Sequence, residues 1–323
     1  MSTLSFSSSG YWLMGSVISD NLWLIGSDKT LDPSKYYIII PALFGNGQSS
    51  SPSNKPNLRP FPAVLFYDNV RAQYELVTKH LGIKHARAVV GWSMGAGQTY
   101  QWVTQYPEFM DVAAPFCGSA KTSLHNQAML EGVKSALYAA QGTSSGGVSK
   151  AEPNKTGSGY ATFTEETRSN GLKALGRVYS GWGFSQAFYR ERLFESALGF
   201  KDMDDFMVNF WEAWACSKDP DNMLVMAHTW QAGDCSQQEP YNGDFNKAMQ
   251  GIKAKTLVLP SKTDLYFPPE DSEIEVKAMR PGVGELKVFP SIWGHWAGGP
   301  GDSKEDVKWL DEKLRDLFSA AWK

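Results

Sequence analysis

The order of short apolar runs along the chain constrains its fold most, because strands that alternate with helices can form only a few architectures. The runs that resemble buried strands cover residues 36–40, 86–90, 112–116, 256–259 and 286–289. The helical patterns cover residues 68–81, 98–106, 270–279 and 304–320. Repeated strand–helix–strand units of this kind predict an α/β fold with a mainly parallel sheet flanked by helices.

The middle of the chain follows a different pattern. Helical periodicity dominates from residue 121 to residue 249, interrupted by a low-complexity stretch at 141–159 that we expect to be mobile. We therefore predict a core domain formed by residues 1–120 and 250–323. The insertion at 121–249 is predicted to be a helical lid.

Composition and charge exclude several classes of protein. The 323 residues carry 31 basic and 34 acidic side chains, a net charge of −3, which favours neither nucleic acid nor a membrane surface as a partner. No apolar run is long enough for a membrane helix, and no signal peptide is apparent. Three widely spaced cysteines predict no disulfide framework. A cytoplasmic location is expected.

The sequence Gly-Trp-Ser-Met-Gly at 91–95 matches the pattern G-x-S-x-G. Ser93 directly follows the strand at 86–90 and precedes a helix, the context in which a sharp turn exposes a nucleophilic serine. A second match at 142–146, centred on Ser144, lies in the low-complexity stretch with no strand before it. We interpret Ser93 as the nucleophile and Ser144 as a chance match.

A nucleophilic serine needs a base and a carboxylate that orients the base. His295 follows a late predicted strand, whereas the other histidines lie near a helix end or in the insertion: His80, His85, His125 and His228. Asp264 closely follows the strand at 256–259 and fits the order serine, acid, histidine. Glu270 and Asp271 are the alternatives, although both fall where a helix begins.

The oxyanion of a serine-catalysed acyl transfer is stabilised by backbone N–H groups. The N–H of Met94 is one candidate donor, and the loop after the strand at 36–40 should supply the other. Pro41 has no N–H, so Leu43 or Phe44 is the predicted second donor.

Other chemistries have little support in the sequence. It contains no phosphate-binding loop, no dinucleotide-binding glycine pattern and no ligand spacing typical of a metal site, so no cofactor or metal is expected. The insertion is rich in aromatic residues, some of which should cover an apolar acyl pocket. Trp182 is the candidate we assign to substrate binding.

Longer stretches of the chain resemble the homoserine O-acetyltransferase family of α/β-hydrolases. These stretches are FPAVLFYDNVRAQ at 61–73, GWSMGAGQTYQW at 91–102, YPEFMD at 106–111, DLYFPPED at 264–271 and GHWAGG at 294–299. The resemblance implies an α/β-hydrolase fold with a helical lid, a Ser93–Asp264–His295 triad, an acyl-enzyme intermediate and a homodimer. The family includes acetyltransferases and esterase-like members.

The chain departs from the acetyltransferase pattern at positions that resemble the acceptor site. Arg177 is followed seven positions later by Phe184 where the family has Tyr, and Trp296 follows the histidine where the family has Asp. These aromatic replacements favour water over an amino-acid acceptor. The predicted function is a serine ester hydrolase for small acyl esters such as acetates. A CoA-dependent O-acyltransferase is the alternative, and a non-catalytic ligand-binding protein is the third interpretation.

Overall fold

The computed structural model describes residues 2–6, 21–142 and 163–320. The chain divides into two compact units. Unit 1 comprises residues 1–42, 66–121 and 233–323, and unit 2 comprises residues 43–65 and 122–232. Apart from its first two residues, the low-complexity stretch predicted to be mobile lies outside the described residues.

These boundaries differ from the predicted ones at two places. Residues 233–249 belong to unit 1, because Tyr241, Ala248 and Met249 are buried in its core. Residues 43–65 belong to unit 2, where Phe61 and Val64 pack against Val225. Each segment therefore belongs to the unit in whose core its apolar side chains are buried.

Unit 1 contains a six-stranded parallel sheet. Its strands are β1 (Ser2–Phe6), β2 (Tyr36–Ile39), β3 (Ala86–Trp92), β4 (Met110–Phe116), β5 (Lys255–Val258) and β6 (Gly284–Leu286). Their order in the sheet is β2-β1-β3-β4-β5-β6. The parallel sheet is as predicted, but β1 was missed. Its alternation of Ser and Thr with apolar residues differs from the continuous apolar run that is typical of a strand inside a parallel sheet.

The core of unit 1 lies on both faces of this sheet. Every residue of β3 is buried. Val90 and Trp92 pack in one cluster with Leu310, and Val89 packs in the opposite cluster with Val103. Burial on both faces explains why the central strands have no polar alternation.

The helices of unit 1 cover the two faces of the sheet. The four predicted helices are present, the last with its predicted bounds at 304–320, whereas most of the helix at 245–251 lies in the stretch that was predicted to be part of the lid. They are α1 (Phe66–Glu75), α2 (Met94–Gln105), α10 (Phe245–Gly251), α11 (Pro269–Ala278) and α12 (Lys304–Ala320). A π-helical turn at Leu76–His80 extends α1, and a 3₁₀ turn covers Gly294–Trp296. Helix α2 begins at Met94, four residues earlier than predicted.

Unit 2 is helical. Its helices are α3 (Leu124–Ala140), α4 (Glu165–Gly183), α5 (Gln186–Arg190), α6 (Leu193–Ser196), α7 (Met203–Phe206), α8 (Ala213–Cys216) and α9 (Pro220–Gln231), and a π-helical turn at Met207–Glu212 joins α7 to α8. Side chains at the helix starts accept backbone N–H bonds, for example Ser123 for α3 and Asp219 for α9. The aromatic residues of the insertion pack largely against one another inside this unit.

Candidate active site

Ser93 occupies a strained turn between β3 and α2. Its backbone has φ 58° and ψ −122°, a positive φ that residues other than glycine rarely adopt. The Ser93 N–H donates to the carbonyl of Phe116 at the end of β4, 3.1 Å away. The sheet therefore holds the serine in the sharp strand-to-helix turn that its sequence context predicts.

Small residues make this turn possible. A Cβ at Gly91 would lie 2.1 Å from the carbonyl oxygen of Gly95 and 2.7 Å from Oγ1 of Thr99. A Cβ at Gly118 would lie 2.5 Å from the carbonyl oxygen of Ser93. The two glycines of the G-x-S-x-G pattern are visible in the sequence. No local pattern points to Gly118, because it approaches the turn only through the position of β4 beside β3.

The structure brings together the three side chains predicted to form a triad. His295 Nε2 lies 2.8 Å from Ser93 Oγ, and His295 Nδ1 lies 2.9 Å from Asp264 Oδ2. All three residues are buried. This arrangement can accept a proton from the serine hydroxyl and stabilise the resulting imidazolium with a carboxylate.

The Asp264 carboxylate is held by its own loop. Its Oδ1 accepts the N–H groups of Tyr266 and Phe267, at 2.8 and 3.1 Å, which leaves Oδ2 for the histidine. The alternative acids, Glu270 and Asp271, lie in the first turn of α11. The loop geometry thus aims Asp264 at His295.

Aromatic rings surround the imidazole. The Trp92 ring stacks on it, with centroids 5.2 Å apart and planes 23° apart, and Trp92 Nε1–H donates to the His295 carbonyl at 3.2 Å. The ring centroids of Tyr266 and Phe267 lie 4.7 and 5.6 Å from the centroid of the imidazole. The Trp296 ring contacts the imidazole edge-on, with centroids 6.3 Å apart. Trp296 was among the residues predicted from the sequence, whereas no role was predicted for Trp92.

Hydrogen bonds fix the loop that carries His295. Thr263 Oγ1 donates to the carbonyl of Ser291 and accepts the N–H of Gly294, both at 3.1 Å. The hydroxyl of Ser291 donates to Asp306 Oδ2 at 2.6 Å, and burial raises the pKa of that carboxyl group. Thr263 adjoins Asp264 in sequence, so one hydroxyl connects the acid loop to the histidine loop.

Cys117 carries a thiol beside the loop that holds His295. Its thiol donates to the carbonyl of Ala297 at 3.6 Å and is completely buried. Burial, followed by the charges of Asp264 and Asp306, raises the pKa of the Cys117 thiol well above its ordinary value. The thiol therefore stays protonated and is a poor nucleophile.

The predicted oxyanion donors fall in both units. Met94 is the first residue of α2 and is buried, and an N–H in the first turn of a helix has no acceptor within that helix. Leu43 and Phe44 belong to unit 2. Their role as the second donor stays a prediction.

The predicted substrate-binding residues of unit 2 have partners within that unit. Arg177 Nε donates to Glu212 Oε1 at 2.5 Å and is half exposed. Phe184 is completely buried and stacks on Phe188, with centroids 3.9 Å apart. Trp182 is half-buried and contacts the His125 ring at 5.1 Å. Their contact with a substrate also stays a prediction.

Among the described residues, no three His, Cys, Asp or Glu side chains cluster in a way that could bind a metal ion. No helix in the described part of the chain is both long and apolar enough to cross a membrane.

The fold and the site together define the class of protein: the chain belongs to the alpha/beta hydrolase fold family, whose model matches residues 15–301. It is 35% identical over 312 residues to an ethyl acetate hydrolase of Pseudomonas veronii, covering 96% of this chain and 84% of that protein. It is 34% identical over 300 residues to a probable esterase of Corynebacterium glutamicum, covering 92% of this chain and 80% of that protein.

Solved structures show the same likeness. An acetylester hydrolase from Corynebacterium glutamicum matches with a TM-score of 0.85 and 32% identity, covering 98% of this chain and 85% of that chain. Homoserine O-acetyltransferases also match, at lower identity. The protein from Trichormus variabilis is 26% identical over 298 residues, covering 88% of this chain and 76% of that protein. Both branches that the sequence resembles are therefore among its relatives.

Proposed function

We propose that this protein is a serine ester hydrolase that cleaves small acyl esters such as acetates. The observation that carries the proposal is the hydrogen-bonded chain from Ser93 through His295 to Asp264, on a strained strand-to-helix turn. The similarity to an ethyl acetate hydrolase and to a probable esterase supports the substrate class.

The proposed reaction proceeds in two halves. Ser93 Oγ attacks the ester carbonyl while its proton passes to His295 Nε2, and Asp264 stabilises the imidazolium. The C–O bond to the alcohol then breaks, the alcohol leaves with the proton from His295, and the acyl group stays on Ser93. Water attacks this acyl-enzyme, gives its proton to His295, and releases the carboxylic acid as Ser93 recovers its proton.

The oxyanion of each tetrahedral intermediate needs donors that are in place beforehand. We assign one donor to the N–H of Met94, supported by its position at the start of α2. The positive end of the helix dipole favours negative charge at the same place. Leu43 or Phe44 supplies the second N–H in this proposal.

The test is hydrolysis of p-nitrophenyl acetate and ethyl acetate by the purified chain. We expect Ser93→Ala to lower kcat/KM by several orders of magnitude and to abolish labelling by a fluorophosphonate. Ser144→Ala is the matched control, because Ser144 lies in the second G-x-S-x-G match and should leave both unchanged. Labelling that survives in the Ser93→Ala variant would remove the basis of the proposal.

A CoA-dependent O-acyltransferase is the second candidate, favoured by the homoserine O-acetyltransferase relatives. Against it, Arg177 already pairs with Glu212, and Phe184 and Trp296 offer neither a phenolic hydroxyl nor a negative charge to an amino-acid acceptor. The two functions are separated by measuring kcat/KM for ester hydrolysis and for acetyl transfer from acetyl-CoA to homoserine on one preparation. Transfer that exceeds hydrolysis would favour the second candidate.

We extend the proposal to a cytoplasmic homodimer. The three free cysteines fit a reducing compartment. Exposed apolar side chains of unit 2, including Leu124, Val178 and Val208, fit an interface between copies. Light scattering after size-exclusion chromatography should give twice the chain mass of 35.8 kDa, and cell fractionation should recover the activity in the cytosol.

A further inference from the structure

Trp92, the residue between the first glycine and the serine of the turn, lies against the base of the proposed triad. Its indole stacks on the His295 ring with centroids 5.2 Å apart and planes 23° apart. Both residues are buried, with relative exposures of 5% and 2%. Water therefore screens little of any interaction between the two rings.

The charge of the imidazole changes during the proposed reaction, and the charge of the indole does not. A cation within about 6 Å of an aromatic centroid is attracted by the π face, most strongly by tryptophan and when both groups are desolvated. Neutral His295 gains little from this attraction, whereas the imidazolium that forms during the attack of Ser93 gains all of it. An interaction that is stronger in the transition state than in the ground state accelerates the reaction.

We propose that Trp92 is a positioning residue of the hydrolase that orients His295 and stabilises its protonated form through the indole face. The inference rests on the proposed function. The Nε1–H bond to the His295 carbonyl, 3.2 Å long, fixes the backbone of the residue whose ring the indole covers. One side chain thus acts on His295 at two points.

Other groups around His295 also affect how readily its imidazole is protonated. The Asp264 carboxylate is hydrogen-bonded to His295 Nδ1, and the Ser93 hydroxyl is hydrogen-bonded to His295 Nε2. The Tyr266 ring contacts the imidazole edge-on. The Cys117 thiol and the Asp306 carboxyl lie farther away, around the loop that carries the histidine. All of them are present in a Trp92 variant, so a difference from the wild type reports the indole.

The experiment is the pH dependence of kcat/KM for p-nitrophenyl acetate, measured for the wild type and for proteins altered at residue 92. Nonsense suppression at this position can install di- and tetrafluorotryptophan, which weaken the π face while they keep the ring size and the N–H donor. Trp92→Leu removes the face altogether.

We expect the ascending limb of the profile to move to lower pH by about 0.4 to 1.5 pH units when the face is lost, and by smaller steps as fluorine is added. This range follows from a cation–π attraction worth about 3- to 30-fold. We also expect kcat/KM on the plateau of the profile to decrease by about the same 3- to 30-fold factor. The loss should be smaller at low pH, a pattern that a packing defect does not produce.

Trp102→Phe is the control. Trp102 is also buried, but it lies in the core cluster on the opposite face of the sheet. We expect this variant to be less stable with its ascending limb unchanged. The inference about Trp92 is overturned if the fluorinated proteins hydrolyse the ester through Ser93 and have the ascending limb of the pH profile at the wild-type pH. That result would leave the proposed function intact. Hydrolysis that does not depend on Ser93 would overturn the proposed function instead.

Discussion

We predict that Glu275, a buried carboxyl group of unit 1, makes the stability of this protein depend on pH. It lies in α11 with a relative exposure of 3%. Its Oε2 accepts the hydroxyl of Tyr100 and its Oε1 accepts the N–H of Ala120, both at 2.6 Å. Burial raises the pKa of Glu275 from its ordinary 4.5 to about 8, although both hydrogen bonds act in the opposite direction.

The size of the effect follows from this pKa. Between pH 4.5 and 8 the carboxyl group is ionised in the unfolded chain and protonated in the folded one, so the free energy of unfolding falls as pH rises. The slope is about 1.4 kcal/mol for each pH unit, which gives a total of about 5 kcal/mol across the interval. The stabilisation is complete below pH 4.5 and is lost as pH rises through 8.

Glu275→Gln removes this dependence and keeps the contacts. The glutamine oxygen can accept the Ala120 N–H, and its amide can donate to the Tyr100 hydroxyl. We expect the variant to match the wild type near pH 4.5 and to become more stable than it as pH rises. For a unit of this size the gap in Tm should widen by about 3–6 °C for each pH unit.

The assay is thermal unfolding followed by fluorescence between pH 5 and 8.5. Glu273→Gln is the matched control, because Glu273 is an exposed glutamate on the same helix and its Tm should follow the wild type at every pH. A gap between Glu275→Gln and the wild type that stays constant, or that favours the wild type at alkaline pH, would refute the reasoning. Such a result would mean that Glu275 is ionised in the folded protein.

Three further predictions concern the site. Asp264→Asn should lower kcat by about 10⁴-fold, because the amide favours the wrong His295 tautomer; retained activity would place the acid elsewhere. Gly91→Ala should give little folded protein on circular dichroism, because its Cβ would lie 2.1 Å from the Gly95 carbonyl oxygen. Thr263→Val should lower kcat by about tenfold through two lost hydrogen bonds, whereas Thr263→Ser should retain most activity in the same ester assay.

Local sequence features predicted the parts of this protein that depend on neighbouring residues. The central strands have continuous apolar runs because both faces of the sheet are covered, and that pattern is visible without coordinates. Ser93 could be distinguished from Ser144 by the strand before it and the helix after it. Asp264 and His295 were identified by chain order, since each follows a predicted strand.

Features that depend on contacts between distant segments were not predicted correctly from the sequence. Strand β1 was missed because its alternating polar residues resemble no buried strand, yet it pairs with both β2 and β3. The unit boundaries shifted because Tyr241 and Met249 are buried in the core of unit 1. A local sequence pattern does not indicate in which of the two units a side chain will be buried.

The sequence by itself determined the alternation of strands and helices, the tight turn at Ser93 and the residue types of the triad, because these depend on near neighbours. Only the tertiary structure decided that His295, 202 positions from Ser93, meets its hydroxyl. It alone also placed Gly118 against the turn and the Trp92 ring on the imidazole. These contacts join segments that are far apart in the chain, and the packing of the parallel sheet brings those segments to one edge.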